Sequence, residues 1–346
     1  MARLQVIVFF AVAAVGWTGH AQAPAPLPRD TTDADARTLA WFASNGSPIA
    51  AIDGAPNGAD LARWDALTNS ARIIGIGEQT HGTSEFSRMK LRLITHGVLT
   101  QQVSVVGLEN VPAPVLPINR FLHGEAANVD SLMLGLSRLW RTEELKSVIM
   151  WLRSHNEAQR RRGAREVDMI GIDVQNGGGA RDSMMAETIV AAIEARPAGE
   201  RAMIWSHNVH VAYIPTRIGP QLRRMIGTRY VALGFATARG TYRAHAPSDS
   251  GRMLSDGHAL VPSSTGSVEL SLSRLSAQVG GVAQLYDVRT IVADARGGWL
   301  KTARDFHFIG TNTDEKSVQV WNVGEAFDLL LFIPSTTSSR SVPGIQ

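Results

Sequence analysis

The sequence predicts an α/β fold, a largely parallel or mixed β-sheet flanked by helices, and three observations predict it. Short apolar runs at 72–77, 103–108, 167–172 and 203–205 are separated by stretches of helical periodicity at 84–96, 142–161 and 181–195, the signature of crossover units that lay parallel strands side by side. The later chain, at 229–235, 241–246, 268–272 and 327–333, is richer in strand-like text, which favours a mixed sheet. Hydrophobic residues make up 44% and charged residues 19% of the 346 positions, ordinary values for a chain that builds a packed core.

Along the chain, residues 1–23 read as a secretory signal. Arg3 gives a basic start, an apolar stretch runs from Leu4 to Trp17, and Ala21-Gln22-Ala23 fits the small-residue cleavage rule. The stretch is shorter than the ~20 residues that span a bilayer, so a retained anchor is the minor alternative. The expectation is a periplasmic or secreted protein with no stable membrane span after processing. Residues 24–50 are expected to hold a mobile, proline-rich leader and the start of edge helices, the latter patterned at 35–43 and 60–67. The main domain is placed at 51–335, with loops near 246–265 and a disordered tail at 336–346.

The helix at 84–96 contains one anomaly. At 100° per residue Phe86, Met89, Leu93 and Ile94 share an arc, the expected core face. Arg88 and Arg92 fall opposite and are assigned to solvent. Lys90 falls inside the apolar arc, either snorkelling with a buried stem or aiming its ammonium at a site near the helix N-terminus.

Several function classes are excluded. Without cysteine there are no disulfides, thiol nucleophiles or thiolate metal sites. A net charge of +3 gives no case for nucleic acid, and the triplet Arg160-Arg161-Arg162 reads as a solvated helix end. No G-x-S-x-G elbow, P-loop or H-E-x-x-H motif occurs.

What remains is a pattern at strand ends. Ile74-Gly75-Ile76 leads to Glu78, Val106-Gly107-Leu108 to Glu109, Ile170-Gly171-Ile172 to Asp173, and Ile204-Trp205 to His207 and His210. The carboxyl ends of parallel strands are where loops converge and ligands bind, although any one acid there can equally cap a helix. The loop Gly75-Ile76-Gly77-Glu78-Gln79-Thr80-His81 lacks the third glycine of a dinucleotide loop, and Glu78 would face a pyrophosphate. Nucleotide binding is therefore rejected. Instead, Glu78 stands three residues from His81, where a carboxylate can fix an imidazole's tautomer for base catalysis. The spacing of His207 and His210 also admits a divalent metal with Glu78 or Glu109. The other histidines are read as surface or packing residues.

These same residues resemble a known family. Gly77-Glu78-Gln79-Thr80-His81-Gly82-Thr83 with Glu85-Phe86, Leu108-Glu109, Trp140-Arg141-Thr142-Glu143-Glu144, Gly171-Ile172-Asp173, Arg181-Asp182 and Trp205-Ser206-His207-Asn208-Val209-His210 are similar, in order, to motifs of the erythromycin esterase family. The resemblance spans about 72 to 333. It implies an erythromycin-esterase-like fold and hydrolysis of an ester, a macrolide lactone in the namesake members, by a histidine that activates water without a covalent serine. That histidine is implied to be His81, with Glu78 and Glu109 as partner acids and His207 and His210 completing the cleft. The family has a basic residue, often Arg, at the position of Lys90.

The leading expectation is a cofactor-independent hydrolase of a small ester, with a macrolide or glycosylated compound among the candidates. In it Glu78 orients His81, and Lys90, His207 or His210 stabilises the oxyanion. Two readings stay open beside it. One is a metallohydrolase using the same residues. The other is a non-catalytic envelope protein whose Trp140, Trp151 and Trp205 grip a glycan or glycosylated ligand; in the hydrolase reading Trp140, Asp173 and Trp205 are the substrate-binding residues.

Overall fold

The computed structural model describes residues 28–248, 251–313 and 317–345. The expected export signal at 1–23 lies outside the described residues. Among those described, no helix is long and apolar enough to cross a membrane.

Helix α1 (Ala36–Asn45) leads into strand β1 (Gly46–Ile49), and α2 (Ala62–Thr68) precedes β2 (Ile73–Ile76). Then come α3 (Ser84–Thr100), β3 (Val103–Leu108), α4 (Pro112–Leu122), α5 (Val129–Met133), α6 (Glu143–Arg161), β4 (Asp168–Gly171), α7 (Arg181–Glu194) and β5 (Arg201–Trp205). Short α8 (Asn208–Val211) and α9 (Ile218–Ile226) lead to β6 (Tyr230–Ala236) and a hairpin of β7 (Arg239–Ser248) and β8 (Gly251–Ala259). The chain ends with α10 (Val268–Val279), β9 (Ala283–Asp287), α11 (Val288–Ala293), β10 (Arg304–His307), β11 (Val318–Trp321), α12 (Val323–Ala326), β12 (Leu329–Phe332) and β13 (Ser335–Thr336).

Eight strands form the main sheet in the order β1-β9-β12-β6-β2-β5-β3-β4. From β12 to β4 every neighbouring pair is parallel, and β9 and β1 add antiparallel pairs at one edge. This is the mixed sheet the sequence predicts. Alternating side chains go to opposite faces: Ile74, Ile76, Val106, Leu108, Met203 and Trp205 enter one core, while Ile73, Val105, Ala202 and Ile204 enter the other. Because both faces are covered, β2 and β3 are buried along their whole length, as parallel strands usually are.

Five expectations are corrected. Residues 268–272 form the start of helix α10: the Ser267 side chain accepts from the Leu270 N–H, and Val268, Leu272 and Leu275 bury one helical face. The alternation of Val268, Leu270 and Leu272 fitted a strand only because the window was short. The presumed loop at 246–265 holds most of the β7–β8 hairpin, unseen because β8 is largely exposed and carries no apolar alternation. Arg92 is buried rather than solvated, since Asp60 receives its guanidinium and the carbonyls of Ala51 and Ala55 accept the rest. The leader is not free where it is described: Asp30 N donates to the Ala303 carbonyl and Arg29 pairs with Asp305, and β1 joins the sheet. The supposed tail is packed as well. Ser338 and Ser341 bridge to Thr83 and Thr142, and Val342 and Ile345 are buried.

Candidate active site

The site sits where β2, β5 and β3, adjacent in the middle of the sheet, deliver their C-terminal residues. Glu78 follows β2 and is 1% exposed. One carboxylate oxygen accepts from His81 Nδ1 at 2.6 Å; the other accepts from Lys90 Nζ at 2.7 Å and Trp205 Nε1 at 3.0 Å. Lys90 reaches it because α3 starts just after the turn and returns the side chain along its inner face, over the Trp205 ring at 4.9 Å. Its ammonium is wholly buried. It therefore neither snorkels nor faces the cleft, but serves as counter-ion to Glu78. Burial lowers its pKa to about 8 against the pull of Glu78. Burial would raise Glu78, yet the Lys90 ammonium and the His81 contact outweigh it and hold the acid below its ordinary value.

His81 is thus held by Nδ1, and its Nε2 has no hydrogen-bond partner among the described residues. Burial lowers the imidazole pKa, but the hydrogen bond to Glu78 and the charges of Glu109 and Glu78 prevail and raise it above 6.5. Gly82 follows, and a Cβ there would run into the Arg243 carbonyl, so the turn packs directly on β7. Trp140 lies 5.5 Å from the His81 ring and 5.6 Å from Trp205, centre to centre.

Glu109 follows β3. It accepts from the Ser206 hydroxyl at 2.6 Å and the His207 N–H at 2.8 Å with one oxygen, and meets His210 Nε2 at 3.2 Å with the other. His210 Nδ1 meets Asp182 at 2.7 Å. Burial would lower this imidazole, but Glu109 and Asp182 lift it to about 9, so it is an imidazolium at neutral pH. The effect is mutual, and Glu109 lies well below its usual range although burial opposes this. Arg181 completes the cluster: its Nε pairs with Asp173 at 2.7 Å and its Nη2 lies 3.7 Å from Glu109. Its side chain is 28% exposed, the most open cation of the group.

The structure therefore brings Glu78, His81, Glu109, His207 and His210 together, with Asp173 joined through Arg181. Two assignments change. The His207 ring lies 5.1 Å from the His81 ring, but its Nε2 faces the Gln79 and Ile309 carbonyls at 3.1 and 3.2 Å and its Nδ1 accepts from the Val209 N–H. Both nitrogens are used internally, and burial, then His81, push the ring to about 3. It is a neutral wall and no oxyanion donor. Trp205 and Trp140 are buried, so neither offers an open ring face to a glycan; Trp205 instead donates to Glu78. Among the described residues no three His, Asp or Glu side chains are grouped to hold a metal. Arg181, Asp182 and Ser206 are site residues that the sequence reading does not assign, although all three stand in the motifs that carry the family resemblance.

The family model for erythromycin esterase matches residues 99–180 and 175–336. The chain belongs to the erythromycin esterase family. Two members from Escherichia coli are similar: erythromycin esterase type I, 30% identical over 142 residues, and type II, 25% identical over 114. Those stretches cover 39% and 33% of this chain, but only 33% and 26% of the relatives' own length. The turn that bears Glu78 and His81 lies upstream of the family match. Solved structures show the same fold. A succinoglycan biosynthesis protein superimposes with TM-score 0.73 at 17% identity, covering 88% of this chain and 98% of that one. A mutant of the erythromycin esterase EreC in its open conformation gives 0.64 at 15%, covering 86% and 99%.

Proposed function

We propose that this family member is a hydrolase of carboxylic esters in which His81 activates water. The observation that carries the proposal is the 2.6 Å contact between His81 Nδ1 and Glu78. It fixes Nδ1 as the protonated nitrogen and leaves the Nε2 lone pair free to take a proton from water. The hydroxide equivalent adds to the ester carbonyl carbon and the carbonyl oxygen becomes an anion. The tetrahedral adduct collapses with loss of the alkoxide, which takes back the proton from Nε2. Arg181, the most open cation of the cluster, is the group left to face the developing oxyanion in place of Lys90, His207 or His210, since both His210 nitrogens are taken by Asp182 and Glu109. Asp173 accepts from Arg181 and holds it in place, while Glu109 holds His210 and lies 3.7 Å from the Arg181 guanidinium.

An exported protein acting on a small ester, a macrolactone among the candidates, fits this reading, and so does turnover without a bound cofactor. The test is hydrolysis of an aryl-ester panel and of macrolides by the wild type and by His81→Ala. Turnover that survives at wild-type kcat in His81→Ala ends the proposal.

A further inference from the structure

Arg243 points into the molecule from the middle of β7. It is 1% exposed, and its Nη1 is buried with no partner. Among the described residues the guanidinium has neither a hydrogen bond nor an ion pair. The other buried arginines are matched: Arg304 reaches Asp30 and the Trp299 and Thr32 carbonyls, and Arg92 reaches Asp60. A guanidinium has five N–H donors and stays charged, and a desolvated charge without a counter-charge is strongly unfavourable. The group is built for a partner that the described residues do not supply.

The surroundings narrow down that partner. Arg243 N and Ser339 N both donate to the Gly82 carbonyl, at 2.9 and 2.8 Å, so the two residues stand side by side. The Ser339 hydroxyl is also buried without a partner. Ser338 N donates to the Thr241 hydroxyl, and Ser338 Oγ accepts from Gly257 N, which fixes the segment 337–339 between the hairpin and the start of α3. Asp256 and Glu144 are the acids whose fields reach Arg243. Glu144, however, is taken up by the Ser84 hydroxyl and by Arg340. A cleft of about 520 Å³ lined by Ser84, Glu144, Thr337, Ser338 and Arg340 opens beside this seam.

We propose that the seam between β7, segment 337–339 and the N-terminus of α3 binds a small tetrahedral oxyanion, phosphate or sulfate, on the Arg243 guanidinium with the Ser339 hydroxyl as second donor. The planar fork of arginine matches two oxygens of such an anion, and the hydroxyl supplies a third contact. Binding here is independent of the hydrolytic reading, because none of these side chains belongs to the Glu78–His81 cleft.

The test uses the full chain, with sodium phosphate or sodium sulfate titrated against sodium chloride at constant ionic strength. Calorimetry follows binding and urea unfolding follows stability. The wild type is expected to bind one anion and to gain stability with the logarithm of phosphate concentration, as a ligand of the folded state does. Arg243→Met is expected to show no specific response and, in chloride alone, to be at least as stable as wild type, since an unpaired buried charge is gone. Ser339→Ala should weaken binding roughly five-fold, the loss of one hydrogen bond. Asp256→Asn should leave the response intact. A wild type that binds neither anion overturns the proposal, as does an equal response in Arg243→Met. It is also overturned if Asp256→Asn and Arg243→Met are equally destabilised in chloride, because Asp256 would then be the partner. Should Arg243→Met not fold, Arg243→Lys and Ser339→Ala decide by the same titration, and unchanged affinity in both defeats the site.

Discussion

Replacing Lys90 by Met tests the buried charge relay most sharply. The side chains are nearly the same length, so the change removes an ammonium and little volume. In the folded protein Lys90 has no exposure and meets Glu78 at 2.7 Å. Its loss leaves a buried carboxylate with two donors, His81 Nδ1 and Trp205 Nε1. Removing one partner of a buried pair costs about 3–5 kcal/mol, which in a chain of this size lowers the thermal midpoint by roughly 10 °C. Adding Glu78→Gln removes the orphaned charge, so the double variant should lose less stability than the sum of the single losses. The catalytic readout is the pH profile. Lys90 lowers the His81 pKa while Glu78 and Glu109 raise it. Without the ammonium the acid limb of kcat/KM, which requires neutral His81 and lies above pH 6.5, should move to higher pH. In Glu78→Gln it should move to lower pH. Stopped assays on one aryl ester between pH 5 and 10 would measure both. A folded Lys90→Met protein whose acid limb is unmoved or moves down would refute the assignment of Lys90 as the counter-ion in this relay.

The remaining predictions use the same geometry. His81→Ala should lower kcat about 10²–10⁴-fold with little change in KM, the usual share of a general base, and no acyl-enzyme burst should appear in pre-steady-state assays of the wild type. The rate should fall again as pH passes about 9, where His210 loses its proton, and Asp182→Asn should bring that alkaline limb down. His210 also makes a signed stability prediction. Its folded pKa of about 9 lies above the ordinary 6.5, so its contribution, of order 3 kcal/mol, is full below pH 6.5 and is lost as pH rises through 9. The gap in urea midpoint between wild type and Asp182→Asn should therefore shrink over that window, and a constant gap would contradict the pairing. Dialysis against a chelator should leave turnover unchanged; loss of turnover with recovery on adding zinc would favour the metal-dependent reading. Intact mass of the native protein should show residues 1–23 removed, and a retained Met1 would reject export by cleavage.

The parts of this protein visible in the sequence are those enforced by local rules. Parallel strands that must be apolar on both faces stand out as short runs, and the acids that follow them are placed by chain connectivity alone; hence β2, β3, β5 and their polar ends could be read directly. Lys90 was visible as an oddity because helical periodicity put a charge on a core face, but its target could not be seen. Nothing in the spacing says whether a buried ammonium faces a cleft or an acid twelve residues earlier. The roles of His207 and His210 were equally closed to sequence. The two rings are three residues apart and look alike, yet one uses both nitrogens on main-chain groups while the other lies between Asp182 and Glu109. Opposite protonation states follow from partners supplied by distant segments, carbonyls in one case and carboxylates in the other.

That division explains how the cleft keeps several buried charges. Each acid has at least one cation: Glu78 has Lys90, Glu109 has His210, Asp173 has Arg181, and Asp182 has His210 with Arg217 at 3.4 Å. With these acids compensated, His81 is left as the group whose ionisation is not fixed by a full counter-charge, since the carboxylate it touches is already neutralised from behind by Lys90. A histidine facing an uncompensated glutamate would be held as imidazolium and would be a poor base. Placing Lys90 behind Glu78 moderates that pull: the orienting hydrogen bond is kept, while the ammonium lowers the imidazole pKa against the rise that Glu78 and Glu109 impose.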